Sequence, residues 1–494
     1  MKHTFETGKK KNESYAIVLP FHNKEKLSSP LFTQLDRADS DYVWALTKDM
    51  KGDFLEGQSA LLPFSKKYIF LIALGDEKEW TMRRLRLAAR TIFQKTKNLN
   101  TKSILIQLED FALRGIELDQ VAEQCAMNFE MASYDFNTYK EKKETTRIVS
   151  DSIIYKVALP HSSKKVERAV MQGSLIGMQV NNARELSNIP GGDMTPKRLA
   201  SEAGKAGKEY GFDVKVLDEK EMKKLSMGAI LGVSKGSAEE AQLIVMEYNG
   251  GSQKKKPIVF VGKGITFDSG GLNLKPSSSM DEMHMDMSGG AAVIGALSAI
   301  AQMKLKMNVV GIIPAVENML SGQSYRPGDV LHSMSGKTIE VANTDAEGRV
   351  VLADALHYAE RYKPSLVIDI ATLTGACCVA LGHHAMAVLS PEDSLVRKII
   401  DAGEVSGDYV WQLPLWSEYE SDIRGTVGDV LNASKTREAG TINGAMFLYQ
   451  FAKNFPQWAH LDIASTMTTS PDQFLSRGAS GTAVRLLVEL ARQY

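Results

Sequence analysis

Short apolar runs alternate along this chain with stretches whose apolar residues recur every three or four positions, a pattern that predicts strands interleaved with helices. Between residues 15 and 160, β-like runs at Tyr15–Leu19, Tyr68–Leu74 and Ser103–Leu108 are separated by amphipathic helical stretches at Met82–Lys97 and Asp119–Tyr134. They predict a small α/β domain with a largely parallel sheet, followed by an exposed polar loop at Lys140–Thr146 and an ambiguous strand-like run at Ile153–Leu159. Lys164 to Ser187 contains no proline and spaces Val166, Val170, Leu175, Ile176 and Val180 along one helical face, as a long helix between two domains would. Pro190, Gly191 and Gly192 stop that helix, and Thr195-Pro196 starts another with a cap residue followed by a first-turn proline. Strands are then expected at Asp213–Leu217, Leu243–Tyr248, Ile258–Val261, Asn308–Val316, Leu366–Ile370 and Ala385–Leu389, with helices between several of them, notably Gly290–Gln302 and Gly348–Tyr362. The expected fold class is α/β. A small N-terminal α/β domain over residues 1–160 is joined by a long linker helix over 161–190 to a larger α/β domain over 191–494, with a central mixed sheet flanked by helices.

Composition narrows the class. The 494 residues exceed one compact core, and 44% hydrophobic with 24% charged residues is ordinary for a soluble globular chain. No apolar run approaches the ~20 residues that span a bilayer, and no apolar segment precedes Tyr15 as a secretory signal would require. The three cysteines are Cys125, Cys377 and Cys378; the neighbouring pair is poorly placed for a disulfide, and a reducing cytoplasm fits. Lys plus Arg and Asp plus Glu balance at 59 each, so no net field draws the molecule to nucleic acid or an anionic membrane. The basic runs Lys9–Lys11 and Lys254–Lys256 read as solvated loops.

The stretch from Pro257 to Gly290 carries the first chemistry. Behind it stands the Ile258–Val261 strand; after it a loop rich in Gly, Ser and Asp presents Lys263, Asp268, Lys275 and Asp286, with Gly264, Gly270 and Gly271 allowing sharp turns. The second stretch is Asn343-Thr-Asp-Ala-Glu-Gly-Arg349, after an extended run at Thr338–Val341, where Asp345 and Glu347 project on one side of an extended segment. Thr344-x-x-Glu347 is equally a capping box, in which Glu347 serves only the helix start. Four carboxylates converging on one sheet edge favour a ligand of high positive charge: two divalent cations neutralise Asp268, Asp286, Asp345 and Glu347, which would be costly to bury unpaired. With no HExxH, CxxC or histidine cluster, the ligands would be mostly oxygen, and a lysine beside dications can lose its proton and become a ligand itself. Met280, Met283, Met285 and Met287 read as core or as a flexible apolar pocket wall, and His383, His384 and His460 as structural or exposed.

These residues resemble a known family. Val261-Gly-Lys-Gly-Ile-Thr-Phe-Asp-Ser-Gly-Gly271, Lys275-Pro276, Met283-x-x-Asp286-Met287, Asn343-Thr-Asp-Ala-Glu-Gly-Arg349, Ala371-Thr-Leu-Thr-Gly-Ala376, Trp411-x-Leu-Pro-Leu415 and Trp458-Ala-His-Leu-Asp-Ile-Ala464 closely resemble the signatures of the leucyl aminopeptidase family of cytosolic metallopeptidases. The likeness runs from about Asn182 to the C-terminus. It implies metal ligation by Lys263, Asp268, Asp286, Asp345 and Glu347, catalytic roles for Lys275 and Arg349, and a pocket for the substrate's first side chain at Met283, Ala464 and Met467. It further implies two divalent ions per subunit (manganese or zinc first, cobalt or magnesium as alternatives), a metal-bridged hydroxide attacking the carbonyl, Lys275 stabilising the oxyanion, and bicarbonate held by Arg349 as proton shuttle. A homohexamer acting in the cytoplasm on peptides with a free N-terminus, preferring leucine or another apolar residue, completes what the resemblance implies. Departures from the pattern, at His284, Val350 and Ala479-Ser-Gly481, remove no ligand. Two rivals remain. A nucleotide-binding loop at Gly262-Lys-Gly264 lacks the third glycine of its motif, which would fall at Phe267, and a DNA-binding regulator would need a basic groove made by oligomerisation.

Overall fold

The computed structural model describes residues 5–7, 15–23, 27, 29–50, 52–64, 67–99, 101, 103–141, 154–158, 163–436 and 438–494. The Lys9–Lys11 run, residues 142–146 of the polar loop, and Ile153 and Leu159 of the strand-like run lie outside them. The chain divides into two compact units, Met1–Met178 with Ser470–Ser476, and Gln179–Thr469 with Arg477–Tyr494.

In the first unit the chain order is β1 (Phe5–Thr7), β2 (Tyr15–Phe21), α1 (Arg37–Asp49), β3 (Ser59–Phe64), β4 (Lys67–Ala73), α2 (Met82–Thr96), β5 (Ser103–Gln107), α3 (Leu118–Ser133) and β6 (Ile154–Ala158). The sheet runs β1-β6-β5-β2-β4-β3 and is parallel except where β3 pairs with β4. Period-two alternation explains its two faces: Ala16 and Val18 pack with α2 and α3, Ile17 and Leu19 with Val43 of α1. Between α2 and α3, Arg86 Nε donates to Gln124 Oε1 and Arg90 Nε to Asn128 Oδ1, each at 2.8 Å. Sequence patterning missed α1 and β3. Only Val43 of α1 is buried, so the helix shows little apolar periodicity, and Pro63 disguises an edge strand where its missing N–H costs nothing.

The helix α4 (Lys164–Asn188) contains the division between the units. The second unit then follows as α5 (Pro196–Tyr210), β7 (Asp213–Leu217), α6 (Glu219–Lys224), α7 (Gly228–Ser234), β8 (Gln242–Asn249), β9 (Ile258–Gly262), β10 (Gly264–Asp268), α8 (Ser288–Gln302), β11 (Asn308–Asn318), β12 (Val330–His332), β13 (Thr338–Glu340), α9 (Glu347–Ala359), β14 (Leu366–Ala371), α10 (Gly375–Leu381), β15 (Met386–Leu389), α11 (Asp393–Ser406), β16 (Val410–Gln412), β17 (Val430–Leu431), α12 (Gly440–Ala452), β18 (Trp458–Asp462) and α13 (Val484–Gln493). Thr195 caps α5 by accepting from Arg198 N, with Pro196 in the first turn.

A nine-stranded mixed sheet is ordered β16-β15-β18-β14-β9-β11-β8-β7, with β10 also pairing with β11. Its centre is parallel (β10, β11, β9, β14, β18), while β8 runs against both β11 and β7, and β15 runs against β18 but parallel to β16. Val259, Val261, Val310, Ile312 and Val367 share one core with α7, α9 and α12. The other helical layer is built on α8, which packs on β9, β11 and β14 beside α5 and α13. Helix α8 is buried along nearly its whole length, which is why its sequence is apolar all round. A smaller sheet joins β12, β13 and β17. Among the described residues no helix is long and apolar enough to cross a membrane.

Candidate metal centre

In an open parallel sheet the loops beyond the carboxyl ends of the strands form the natural crevice, and the chemistry-bearing residues gather there. Lys263 follows β9, Asp268 ends β10, Asn318 ends β11, Thr372 follows β14 and Asp462 ends β18. One expectation needs correction: Asp268 does not sit on an irregular loop. Gly264–Asp268 is itself a strand, β10, paired in parallel with β11 from Gly264 opposite Ala315 to Asp268 opposite Asn318. Five residues behind a Gly-Lys-Gly turn carry too little periodicity to show this; pairing with a strand fifty residues away creates it. For the same reason Gly262-Lys-Gly264 links two strands and opens no helix, so it is no phosphate loop.

Asp268, Asp286 and Glu347 are buried, and each offers a carboxylate oxygen within 4.8 Å of the others. Lys263 Nζ lies 2.6 Å from Asp286 Oδ2 and 2.7 Å from Glu347 Oε1, and donates to Thr372 O at 3.1 Å. Lys275 Nζ lies 2.8 Å from Asp268 Oδ2 and 2.6 Å from Asp345 Oδ1. The cluster thus holds four acids and two ammonium groups, each lysine bridging a pair, with Asp345, only partly buried, joined to the trio through Lys275. Gly270 and Gly271, at φ +87° and +64°, turn the chain after Asp268 so that Lys275 can return to it. Gly348 is required by proximity: a Cβ there would lie 2.5 Å from Lys263 Cε.

The electrostatics show net frustration. Burial pushes Asp286 up to about 6 although Lys263 opposes it, and burial with the adjacent Asp268 pushes Glu347 up to about 8. Asp345 is raised by the same two causes. Burial disfavours both ammonium groups, yet the surrounding carboxylates outweigh it and hold Lys263 and Lys275 above the usual lysine value. The ion pairs are close but leave Asp286 Oδ2, Asp345 Oδ1 and both Glu347 oxygens without an aligned hydrogen bond. By contrast Asp268 Oδ1 accepts from Gly270 N at 2.9 Å and Asn318 Nδ2 at 2.8 Å, and Asp286 Oδ1 from Thr372 Oγ1 at 2.6 Å.

The structure also separates the two readings of Thr344-x-x-Glu347. Thr344 Oγ1 donates to Gly270 O at 2.6 Å and accepts from Asn273 N at 2.8 Å, while α9 begins after Ala346 with no side-chain cap. Glu347 therefore does not close a capping box, and as the first residue of a helix it does not share an extended segment with Asp345. Arg349, on the first turn of α9, is buried; burial lowers it to about 10, and its Nε has no hydrogen-bond partner among the described residues.

Met283 is half-buried three residues before Asp286, whereas Met285 and Met287 belong to the core. Ala464 and Met467 are half-buried beyond β18. There Asp462 Oδ1 accepts from Leu373 N at 3.1 Å and Ala464 N at 3.2 Å, and Oδ2 from Thr374 Oγ1 at 2.6 Å. His460 faces Asp369, with Nδ1 2.5 Å from Oδ1, and His383 Nδ1 meets Ser465 O at 3.3 Å, so both have partners outside the carboxylate cluster. Asn318, Thr372 and Asp462 were missed from sequence. Their one available signal was position: a polar residue at or just past the carboxyl end of a parallel strand.

Comparison with known proteins places this geometry. The profile described as "Cytosol aminopeptidase family, catalytic domain" matches residues 181–488, and that of the family's N-terminal domain matches residues 18–143. A probable cytosol aminopeptidase of Alkalilimnicola ehrlichii is 42% identical over 464 residues, 93% of this chain and 92% of the relative. One from Nitrosococcus oceani is 41% identical over 486 residues, covering 97% and 95%. Among solved structures, a tomato leucine aminopeptidase variant superposes with TM-score 0.88 at 29% identity over 100% of this chain and 97% of that one. The bottromycin maturation enzyme BotP in complex with Mn does so with TM-score 0.84 at 30% identity, covering 98% and 99%. With both profiles matched and relatives above 40% identity along nearly the whole length, this chain belongs to the cytosol aminopeptidase family of peptide hydrolases.

Proposed function

We propose that this aminopeptidase holds two divalent cations between Lys263, Asp268, Asp286, Asp345 and Glu347, and releases the N-terminal residue, leucine or another apolar one, from peptides. The observation that carries the reading is the buried trio with oxygens inside 4.8 Å and no aligned hydrogen bond on either Glu347 oxygen. A fold that places four acids together and leaves Asp286 Oδ2, Asp345 Oδ1 and both Glu347 oxygens without an aligned hydrogen bond suits ligands of high positive charge, and the oxygen and amine donor set suits manganese, zinc, cobalt or magnesium. When bound, such a pair polarises the scissile carbonyl and lowers the pKa of a nucleophilic water.

The chain's own groups do the rest. With their charge taken up by bound dications, the carboxylates would no longer hold the Lys263 proton, and its neutral amine would serve as a ligand. Lys275, released from Asp268 and Asp345, keeps its charge and donates to the oxygen that becomes negative, an interaction worth ~3–4 kcal/mol in comparable sites. The free Nε of buried Arg349 would hold bicarbonate, which would supply a proton-carrying group beside the leaving amine in place of a general base. Met283, Ala464 and Met467 would form the apolar wall that receives the first side chain. A free amino terminus orients the first peptide bond over the nucleophile. The free cysteines fit a cytoplasmic setting, and exposed Trp411, Trp416 and Val427 fit burial between subunits of a hexamer.

Metal analysis of purified protein, with hydrolysis of leucyl and N-acetyl-leucyl peptides, tests the reading. Two ions per subunit and cleavage of the free peptide alone are expected; full activity without metal would refute it. Light scattering tests the hexamer.

A further inference from the structure

The two halves of the acid cluster come from distant parts of the chain, and beside the two bridging lysines a neutral side-chain amide also ties them together. Asn318, at the end of β11, is fully buried. Its Nδ2 donates to Asp268 Oδ1 at 2.8 Å and to Thr344 O at 3.0 Å. Both partners are pure acceptors, so the amide can only point its nitrogen at them. The Asn318 backbone oxygen accepts from Ser269 N at 3.0 Å and Ser269 Oγ at 2.7 Å, and Tyr325 OH supports the Thr344 carbonyl at 2.7 Å. Asp268 Oδ1 is thereby saturated by Gly270 N and Asn318 Nδ2, and only Oδ2 is left toward Lys275. Thr344 directly precedes Asp345 and lies three residues before Glu347. Asn318 Oδ1 has no hydrogen-bond partner among the described residues, an uncompensated cost for a group that contributes only packing.

We propose that Asn318 is a positioning residue for the metal site. Its amide aims one oxygen of Asp268 into the cluster and sets the distance from Asp268 to the segment bearing Asp345 and Glu347. The inference rests on the metallopeptidase reading. It predicts that the effect of Asn318 appears in cation affinity, because hydrogen bonds to ligating carboxylates orient them and their loss costs about 10–100-fold.

The test is Mn2+ binding by the purified full-length protein, measured calorimetrically and per folded subunit. Asn318→Asp keeps the shape, removes both donated hydrogen bonds and sets an acid against Asp268. It is expected to weaken Mn2+ binding about 10–100-fold, with kcat recovering as Mn2+ is raised and KM for a leucyl peptide moving less than about twofold. If Asn318→Asp does not fold, Asn318→Ser, which is too short to bridge both acceptors, is measured in its place with the same expectation. Wild-type Mn2+ affinity in the folded variant, even with a lowered Tm, overturns the proposal and leaves Asn318 a packing residue. Asp268→Asn separates the two failures. If it loses Mn2+ while Asn318→Asp does not, only the positioning role falls; if it too binds as wild type does, the metal reading falls and this inference with it.

Discussion

Two buried acids stand two turns apart on α9, and the difference between them separates scaffold from site. Asp354 and Glu347 are both almost fully shielded, and burial raises both, Asp354 to about 7 and Glu347 to about 8. A raised carboxyl therefore does not mark function in this protein. Hydrogen bonding does. Asp354 Oδ2 accepts from Ala229 N and Ile230 N at 3.0 Å each, and Oδ1 from Met334 N at 2.7 Å, so both oxygens serve the first turn of α7 and the loop after β12. Glu347 Oε1 lies 2.7 Å from Lys263 Nζ, and among the described residues neither Glu347 oxygen has an aligned hydrogen bond. The fold uses up one acid and leaves the other available.

The comparison breaks most sharply at Glu347 itself. Glu347→Ala or Asp268→Ala is expected to lower kcat/KM more than about 1,000-fold, the equivalent of ~4 kcal/mol of transition-state charge stabilisation, with loss of bound metal and an unchanged far-ultraviolet spectrum. Retained metal and activity would mean that the unsatisfied oxygens have no such use.

Next in size is the division between the lysines. Lys275→Ala should reduce kcat by roughly 100–1,000-fold, as removal of one oxyanion donor does, at full metal content. Lys263→Ala should instead weaken one metal ion selectively. The reverse pattern in metal analysis would exchange their roles.

Asp354→Ala sharpens the other side. Three backbone N–H groups lose their acceptor, so unfolding free energy should fall by ~2–4 kcal/mol, read by denaturant titration, while Mn2+ affinity per folded subunit stays that of wild type. A change in that affinity would erase the distinction between the two acids.

The smallest effect lies in the N-terminal unit. Burial pushes Glu130 up to about 7, against a 3.4 Å hydrogen bond donated by Ser174 Oγ. A raised acid stabilises the fold below its unfolded value near 4.5 and loses that contribution as pH climbs through 7. Stability should therefore decline steadily as pH rises from 4.5 to 7, and Glu130→Gln should flatten that decline. An identical pH profile in the variant would show that burial at Glu130 is not felt.

The sequence by itself determined the α/β class, the strands at Ile258–Val261, Asn308–Val316 and Leu366–Ile370, and the residue types that the candidate site requires, because period, turn chemistry and side-chain chemistry are local properties. Tertiary structure decided what each of those residues does. Strand β10 exists through its pairing with β11, α1 holds its place through one buried valine with partly buried Trp44 and Leu46 beside it, and Thr344 forgoes its helix cap because Gly270 and Asn273, about seventy residues away, offer better partners. The same holds for the acids: whether an oxygen is satisfied depends on donors brought from distant strands. Asn318 and Asp354 could not be told from ordinary polar residues until the sheet had closed around them.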